Sequence, residues 1–179
     1  MSKLAVPVTT KDHAQGPASA PTTLVEYGDY QCPYCGAAHP VVKQLQQRFG
    51  DALRFVFRNF PLAEMHPHAM SAASTAEFAA AHGHFWQIHD ALYENQDQLG
   101  LSLYVELVSQ LGLSAKDLRA ALSSDTYEAR IRSDFNGGVR SGVNGTPSFF
   151  INGHRYDGPA DFESMSEALG EAIAAARRS

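Results

Sequence analysis

The sequence has little cysteine and no long hydrophobic segment. Its two cysteines are three residues apart, so they are poorly placed to link distant parts of a fold as a disulfide framework does. No apolar segment approaches the roughly 20 residues needed to span a bilayer, so membrane insertion is not expected. The net charge of −5 is mild, and the absence of a basic run argues against nucleic acid as a partner.

The length of 179 residues and the ordinary balance of apolar and charged residues predict one soluble domain. The N-terminal residues contain no continuous apolar core followed by a small-residue cleavage site, so they do not resemble a secretory signal. We therefore expect a cytoplasmic location for the chain as written, and a periplasmic one if an export signal has been removed.

The chemistry is expected in residues 24–35, which contain both cysteines. An apolar, β-prone run leads into Gly28 and Asp29, and a helical pattern then opens at Cys32. The apolar positions of that pattern are Ala38, Val42, Leu45 and Phe49. The segment therefore predicts a strand, a turn and a helix that begins at a thiol.

A cysteine at a helix N-terminus faces unpaired N–H groups and the positive end of the peptide dipoles, which favour thiolate over thiol. The pKa of Cys32 is therefore expected to be lowered. Cys35 lies one helical turn later, close enough to close a disulfide or resolve a mixed one. Pro33 fits the first turn, where a missing N–H costs little. This pattern predicts Cys32 as the attacking sulfur and Cys35 as the resolving one.

The order strand followed by Cys-Pro-Tyr-Cys resembles the active site of the thioredoxin superfamily, and the longer run 25–35 is similar to that of the DsbA-like thiol oxidoreductases. The resemblance implies a buried acid at Glu26, which assists proton transfer. It also implies a cis-proline at Pro147, preceded by Thr146, beside the disulfide. Pro33, Tyr34, Thr146 and Pro147 would then border the bound substrate.

Further along the chain, 53–59 alternates as a strand should, and Asn152-Gly153 predicts a hairpin between the strands 148–151 and 154–156. A weak strand signal occupies the first ten residues. Helical periodicity dominates from about Ala63 to Val143, with Ser114 as a plausible N-cap. A last helix carries Phe162, Met165, Leu169 and Ile173.

The resemblance implies an α/β thioredoxin fold with a mixed sheet and an inserted helical subdomain. The thioredoxin core would comprise about 20–62 and 143–179, and the helical insertion about 63–142, within a single DsbA-like domain. A right-handed crossover would pair the two core strands in parallel.

The predicted function is thiol–disulfide oxidoreductase, acting on protein or small-molecule thiols and disulfides and recycled by a reductase or oxidase of unknown identity. It requires no metal or cofactor beyond a redox-active Cys32–Cys35 disulfide. Tyr34 stands where exported oxidases typically carry histidine, which predicts a less oxidising couple. An alternative is a glutathione-linked enzyme of the glutaredoxin-like or kappa-transferase type, although kappa transferases usually lack a cysteine at the position of Cys35.

Three alternative interpretations stay open at this point. The cysteines could belong to a non-catalytic metal-binding or chaperone module, with ligands from the histidines at 66, 68, 82, 84 and 89. Glu26 could be an exposed strand residue. The same histidines with Phe85, Trp86 and Tyr93 could line a substrate groove, or could simply form helix surface and core.

Overall fold

The computed structural model describes residues 2–179 and contains a five-stranded mixed sheet flanked by helices. The strands are β1 (His13–Gln15), β2 (Thr22–Gly28), β3 (Leu53–Asn59), β4 (Ser148–Ile151) and β5 (His154–Tyr156). Their order across the sheet is β1-β3-β2-β4-β5. Strands β2 and β3 are parallel and the other neighbours are antiparallel. The predicted α/β class and mixed sheet are confirmed.

Five of the seven helices form a long insertion between β3 and β4, one precedes β3 and one follows β5. They are α1 (Pro33–Phe49), α2 (Ala69–Ala81), α3 (Phe85–Glu94), α4 (Leu101–Gln110), α5 (Ala115–Ser123), α6 (Glu128–Arg140) and α7 (Phe162–Arg178). Short 3-10 turns occupy Gly50–Ala52 and Gln96–Gln98. Helices α2 to α6 form the insertion, and α1 makes the crossover between the parallel strands.

Strand β2 lies at the centre of the fold because both of its faces are covered. Leu24 belongs to the larger core, which α1, the insertion helices and α7 complete. Val25 and Tyr27 belong to a smaller core on the opposite face, with Phe150 from β4. A strand buried on both faces is apolar throughout, and this explains why the sequence run into Gly28 shows little alternation.

The strand predicted in the first ten residues is present only as an isolated antiparallel bridge between Lys3 and His154 of β5. Residues 2–10 contain no named strand, and the edge strand is β1, at His13–Gln15. The carbonyl groups of Val6 and Pro7 instead accept hydrogen bonds from the Arg58 guanidinium, at 2.8 and 3.1 Å. Backbone pairing with the β4–β5 hairpin therefore holds the start of this segment, through the Leu4 N–H and the Ser2 carbonyl, and a buried side chain holds the rest.

Helix α5 begins where the sequence signal predicts. The Ser114 hydroxyl accepts a hydrogen bond from the Asp117 N–H at 3.1 Å, which is the predicted N-cap. Gly112, with φ of 73°, follows the end of α4. The sequence pattern does not predict α6 as a separate helix, because two glycines interrupt its helical period. An ideal β-carbon on Gly138 would lie 2.7 Å from the Phe60 ring, so glycine there allows α6 to approach the sheet.

Helix α7 closes the fold against the same face of the sheet as α1. The Asp161 carboxylate caps it by accepting the Ser164 N–H at 2.8 Å, and Met165, Leu169 and Ile173 are buried. The predicted final helix is confirmed. Among the helices formed by residues 2–179, none combines the length and the apolar character that crossing a membrane requires.

Candidate active site

Cys32 is the N-cap residue of α1, at the point where the turn after β2 enters the helix. Its backbone is extended, with φ of −67° and ψ of 122°. Its N–H donates to the Asp29 carbonyl at 3.1 Å, and its own carbonyl accepts from the Gly36 N–H at 3.0 Å. Pro33 occupies the first turn, as predicted. The Cys32 sulfur therefore lies at a helix end whose free N–H groups favour a negative charge.

The pKa of the Cys32 thiol is lowered. A hydrogen bond from the Cys35 thiol is the largest cause that lowers the pKa of Cys32, to about 5, and the N–H groups of Tyr34 and Cys35 act in the same direction against burial. The side chain of Thr146 also lowers the pKa of Cys32. As a thiol, Cys32 Sγ donates to the Thr146 carbonyl at 3.4 Å. The buried Thr146 hydroxyl has no hydrogen-bond partner among residues 2–179, so it is available to donate to the thiolate.

The pKa of Cys35 is shifted in the opposite direction. It is fully buried, and burial raises its pKa well above the ordinary value, helped by the hydrogen bond to Cys32 and the charge of Glu26. The Asp29 N–H donates to Cys35 Sγ at 3.5 Å. Both cysteines are free thiols in this structure. At neutral pH one sulfur is therefore ionised and its neighbour, one helical turn away, remains protonated.

This contrast predicts that iodoacetamide alkylates reduced Cys32 with a pH midpoint near 5, while Cys35 resists alkylation until far higher pH. Alkylation rates followed by mass spectrometry from pH 3 to pH 10 would measure the midpoint of Cys32 and show whether Cys35 stays unreacted over the same range. Cys35→Ala removes the hydrogen bond that contributes most, so its Cys32 midpoint should move upward. A common midpoint near pH 9 for both thiols would contradict this assignment.

Glu26 lies on β2, its side chain is buried at 2% exposure, and its charge acts on both cysteines. The interpretation of Glu26 as an exposed strand residue is therefore wrong. Burial, reinforced by the negative charge of Cys32, raises the pKa of Glu26 to about 8. One carboxyl oxygen, Oε1, has no hydrogen-bond partner among the described residues. An acid with this pKa can hold or release a proton at neutral pH.

The peptide bond between Thr146 and Pro147 is cis, and it immediately precedes β4. Through the Thr146 carbonyl this segment contacts Cys32 Sγ. In the sequence directly after Cys32, Pro33 is exposed and Tyr34 is 76% exposed. The four residues predicted to border the substrate therefore belong to the segment that contains Cys32 and to the segment that contacts its sulfur. Their contact with a substrate remains a prediction.

The family model described as Thioredoxin matches residues 8–171, which is nearly the whole chain. The chain belongs to the thioredoxin family. The predicted thioredoxin fold with a helical insertion is thereby confirmed.

Solved structures place this thioredoxin-family chain among proteins with the DsbA-like fold. Oxidised BdbD from Bacillus subtilis superposes with a TM-score of 0.87 at 22% identity, covering 97% of this chain and 98% of that one. The alpha-DsbA1 protein of Wolbachia pipientis gives 0.83 at 18% identity, over 97% and 96% of the two chains. At these identities the likeness concerns the fold.

The curated relatives are named as Na(+)/H(+) antiporters and not as thioredoxin-like proteins. The chain is 42% identical over 175 residues to the Na(+)/H(+) antiporter NhaA 3 of Salinispora tropica, covering 97% of this chain and 27% of that protein. It is 40% identical to the antiporter NhaA of Nitrosospira multiformis, covering 88% of this chain and 25% of that protein. The thioredoxin-family chain therefore spans about a quarter of the length of these relatives.

Asp29 organises the turn that carries Cys32, and sequence reasoning gave it only the role of a turn residue. Its carboxylate accepts hydrogen bonds from the N–H groups of Gln31 and Leu62 at 2.8 and 2.9 Å. His66 Nδ1 lies 2.8 Å from the same carboxylate. Asp29 therefore ties the active-site turn to the segment that follows β3. The residues it joins are 33 and 37 positions away, so no local sequence signal indicates this contact.

Gln96 fixes the same turn from the helical insertion. Its side-chain amide donates to the carbonyl groups of Tyr30 and Cys32 at 2.8 and 2.7 Å. Its carboxamide also occupies the place that a side chain on Gly36 would need. The insertion is thus part of the active-site support in this thioredoxin-family chain, and a side chain at position 36 would displace the Gln96 carboxamide from these hydrogen bonds.

The structure does not bring the predicted histidine ligands around the cysteines. Of the five, only His89 belongs to a group of possible metal ligands among residues 2–179, with His39 and Asp90. Lys43 already pairs with the Asp90 carboxylate at 2.7 Å. The aromatic stripe is mainly core, since Phe85 is 6% exposed and Tyr93 is also 6% exposed. The hypothesis that this stripe lines a substrate groove is therefore wrong for Phe85 and Tyr93.

Proposed function

We propose that this chain is a thiol–disulfide oxidoreductase that exchanges disulfides with protein or small-molecule thiols. The observation that carries the proposal is the pairing of an ionisable Cys32 with a buried, protonated Cys35 at one helix N-terminus. A thiolate is the attacking species in disulfide exchange. A neighbouring thiol that stays protonated does not compete with it, yet can resolve the mixed disulfide.

In the reducing direction, the Cys32 thiolate attacks one sulfur of a substrate disulfide. The substrate S–S bond breaks, one substrate sulfur leaves as thiolate, and a mixed disulfide to Cys32 forms. Cys35 then transfers its proton to ionised Glu26 and attacks Cys32 Sγ, which expels the second substrate thiolate. Two electrons have moved to the substrate, and the protein carries the Cys32–Cys35 disulfide. The oxidising direction is the reverse sequence, and this disulfide is the only cofactor proposed.

The surface around Cys32 suits an extended substrate. Pro33 and Tyr34 follow Cys32 and are exposed, and Thr146, whose carbonyl contacts the Cys32 sulfur, and Pro147 are half-buried. Proline at 147 has no N–H, which leaves one fewer backbone donor to be satisfied within the protein. We propose that these four residues border the bound substrate segment, with Tyr34 supplying an exposed aromatic contact.

The purified protein tests this proposal in two assays: reduction of insulin by dithiothreitol, and oxidation of a dithiol peptide by the disulfide form. Catalysis in either assay, with equal rates in the presence and absence of glutathione, supports direct protein disulfide exchange. Strict dependence on glutathione would instead favour the glutathione-linked alternative. Stoichiometric zinc in freshly purified protein with both assays silent would favour the metal-binding module and contradict the proposal.

The curated relatives support a second candidate role, as a redox partner of a Na⁺/H⁺ antiporter. The antiporter of Salinispora tropica is 42% identical over 97% of this chain, which exceeds the identity to the two compared solved structures, 22% and 18%. We propose that the Cys32–Cys35 pair changes antiporter activity by exchanging disulfides with that membrane protein. Membrane vesicles that contain an NhaA antiporter would report Na⁺-dependent proton exchange after addition of oxidised or reduced protein. Equal rates with the wild type and with a Cys32→Ser, Cys35→Ser variant would contradict this role.

A further inference from the structure

A tyrosine from the helical insertion reaches the buried acid of the candidate site. Tyr93 lies on α3, and its hydroxyl oxygen is buried without a hydrogen-bond partner among residues 2–179. The same is true of Glu26 Oε1. Buried polar atoms are rarely left unpaired, because each one costs its desolvation free energy. Two such atoms from distant parts of the chain therefore require an explanation.

The two unpaired oxygen atoms both lie next to Gly28. An ideal β-carbon built on Gly28 would lie 2.9 Å from the Tyr93 hydroxyl oxygen and 3.1 Å from Glu26 Oε1. It would also lie 2.5 Å from a ring carbon of Phe57. Since Gly28 has no positive φ, the close approach of these groups is the reason for glycine here. Both oxygens therefore flank the same backbone carbon, immediately before Asp29 and the active-site turn.

The aromatic ring of Tyr93 is held in place by its neighbours. It stacks on His39, with ring centroids 5.1 Å apart, and contacts the Tyr30 ring at 4.9 Å. Burial and the negative charges of Cys35 and Glu26 raise the pKa of Tyr93 well above its ordinary value. The hydroxyl therefore keeps its proton and can act only as a neutral donor or acceptor. A fixed neutral donor beside a buried carboxyl stabilises the ionised form of that carboxyl.

We propose that Tyr93 is a positioning residue for proton transfer: its hydroxyl donates a hydrogen bond to the Glu26 carboxylate, directly or through one water molecule, whenever Glu26 is ionised. The inference rests on the proposed function, because the ionised acid matters only if Cys35 must lose a proton. In the resolving step that proton moves from Cys35 Sγ to Glu26. Tyr93 exchanges no proton and keeps the acid ionisable at neutral pH.

Tyr93→Phe keeps the ring and removes the donor, so the pKa of Glu26 should rise by about one unit. Carbon-13 NMR titration of the Glu26 carboxyl in the reduced protein measures this without any enzyme assay. Tyr30→Phe is the matched control, since the Tyr30 hydroxyl is bonded to His89 Nδ1 at 2.9 Å and does not flank Gly28. An unchanged titration in Tyr93→Phe, or an equal shift in both variants, would overturn the proposal.

Two further readouts cover a variant that does not fold and an enzyme that is inactive. In wild-type protein, the Cζ chemical shift of Tyr93 should change as Glu26 titrates, and a constant shift would overturn the proposal. In an active enzyme, the pH midpoint of mixed-disulfide decay should move upward in Tyr93→Phe by the same amount as the titration. If the wild type exchanges no disulfides while Tyr93→Phe still moves the Glu26 titration, the proposed function fails and the Tyr93–Glu26 contact stands.

Discussion

Replacing Cys32 with serine is expected to reduce disulfide exchange to the uncatalysed background. The hydroxyl of serine does not ionise near neutral pH, whereas the pKa of Cys32 lies at about 5, so the variant lacks the attacking anion. Insulin reduction and dithiol oxidation both measure this loss. Circular dichroism at the same pH should show an intact fold, because the change replaces one small buried atom.

Cys35→Ala is the informative companion to this variant. Its Cys32 still attacks, but nothing resolves the product, so a mixed disulfide between Cys32 and the substrate should accumulate and be visible by intact mass. Exchange that persists in Cys32→Ser, or a substrate trapped on Cys35 in that variant, would show that the roles of the two sulfurs are reversed.

Replacing Glu26 with glutamine is expected to stabilise the reduced protein at alkaline pH. The folded pKa of Glu26, about 8, lies above its ordinary value of 4.5, so the folded state binds this proton more tightly than the unfolded state. The stability linked to the bound proton is fully present below pH 4.5 and is lost as the pH rises to 8. Glutamine carries no such penalty, so the gain above pH 8 should reach about 5 kcal/mol.

Urea unfolding of wild type and Glu26→Gln at pH 4, 7 and 9 measures the effect. The two proteins should differ little at pH 4 and most at pH 9. The oxidised forms provide the control: the disulfide removes the charge of Cys32, which contributes to the raised pKa of Glu26, so the difference should be smaller there. A constant difference at all three pH values would mean that Glu26 does not titrate between the folded and unfolded states in this range.

The sequence predicted those parts of the molecule that depend on local chemistry. The strand, turn and helix around Cys32 follow from an apolar run, a glycine and a helical period. The hairpin around Asn152-Gly153 follows from residues that accept positive φ, and φ of Asn152 is indeed 48°. The helical period that opens after Cys32 predicts this residue at the helix start, and the three-residue spacing then places Cys35 one turn later.

The other features of the fold and of the candidate site depend on contacts between residues that are far apart in the sequence. Gln96 and Tyr93 reach the site from the insertion, and neither position carries a pattern that distinguishes it from other polar or aromatic helix residues. The apolar run of β2 fits either burial or exposure of Glu26, and only the packing of helices on both faces decides between them. Arg58 fixes the N-terminal segment by binding its carbonyl groups, a contact that no strand propensity can indicate.

Equilibrium redox titration of the Cys32–Cys35 pair tests the proposed chemistry most directly. The protein would be equilibrated in glutathione and dithiothreitol buffers, and its free thiols counted by alkylation and mass spectrometry. We predict that both thiols are lost together in one reversible two-electron transition, with a potential in the middle or lower half of the range from about −270 to −120 mV. A Cys32 that oxidises alone, or that forms a stable glutathione adduct without a Cys32–Cys35 disulfide, would contradict the proposal.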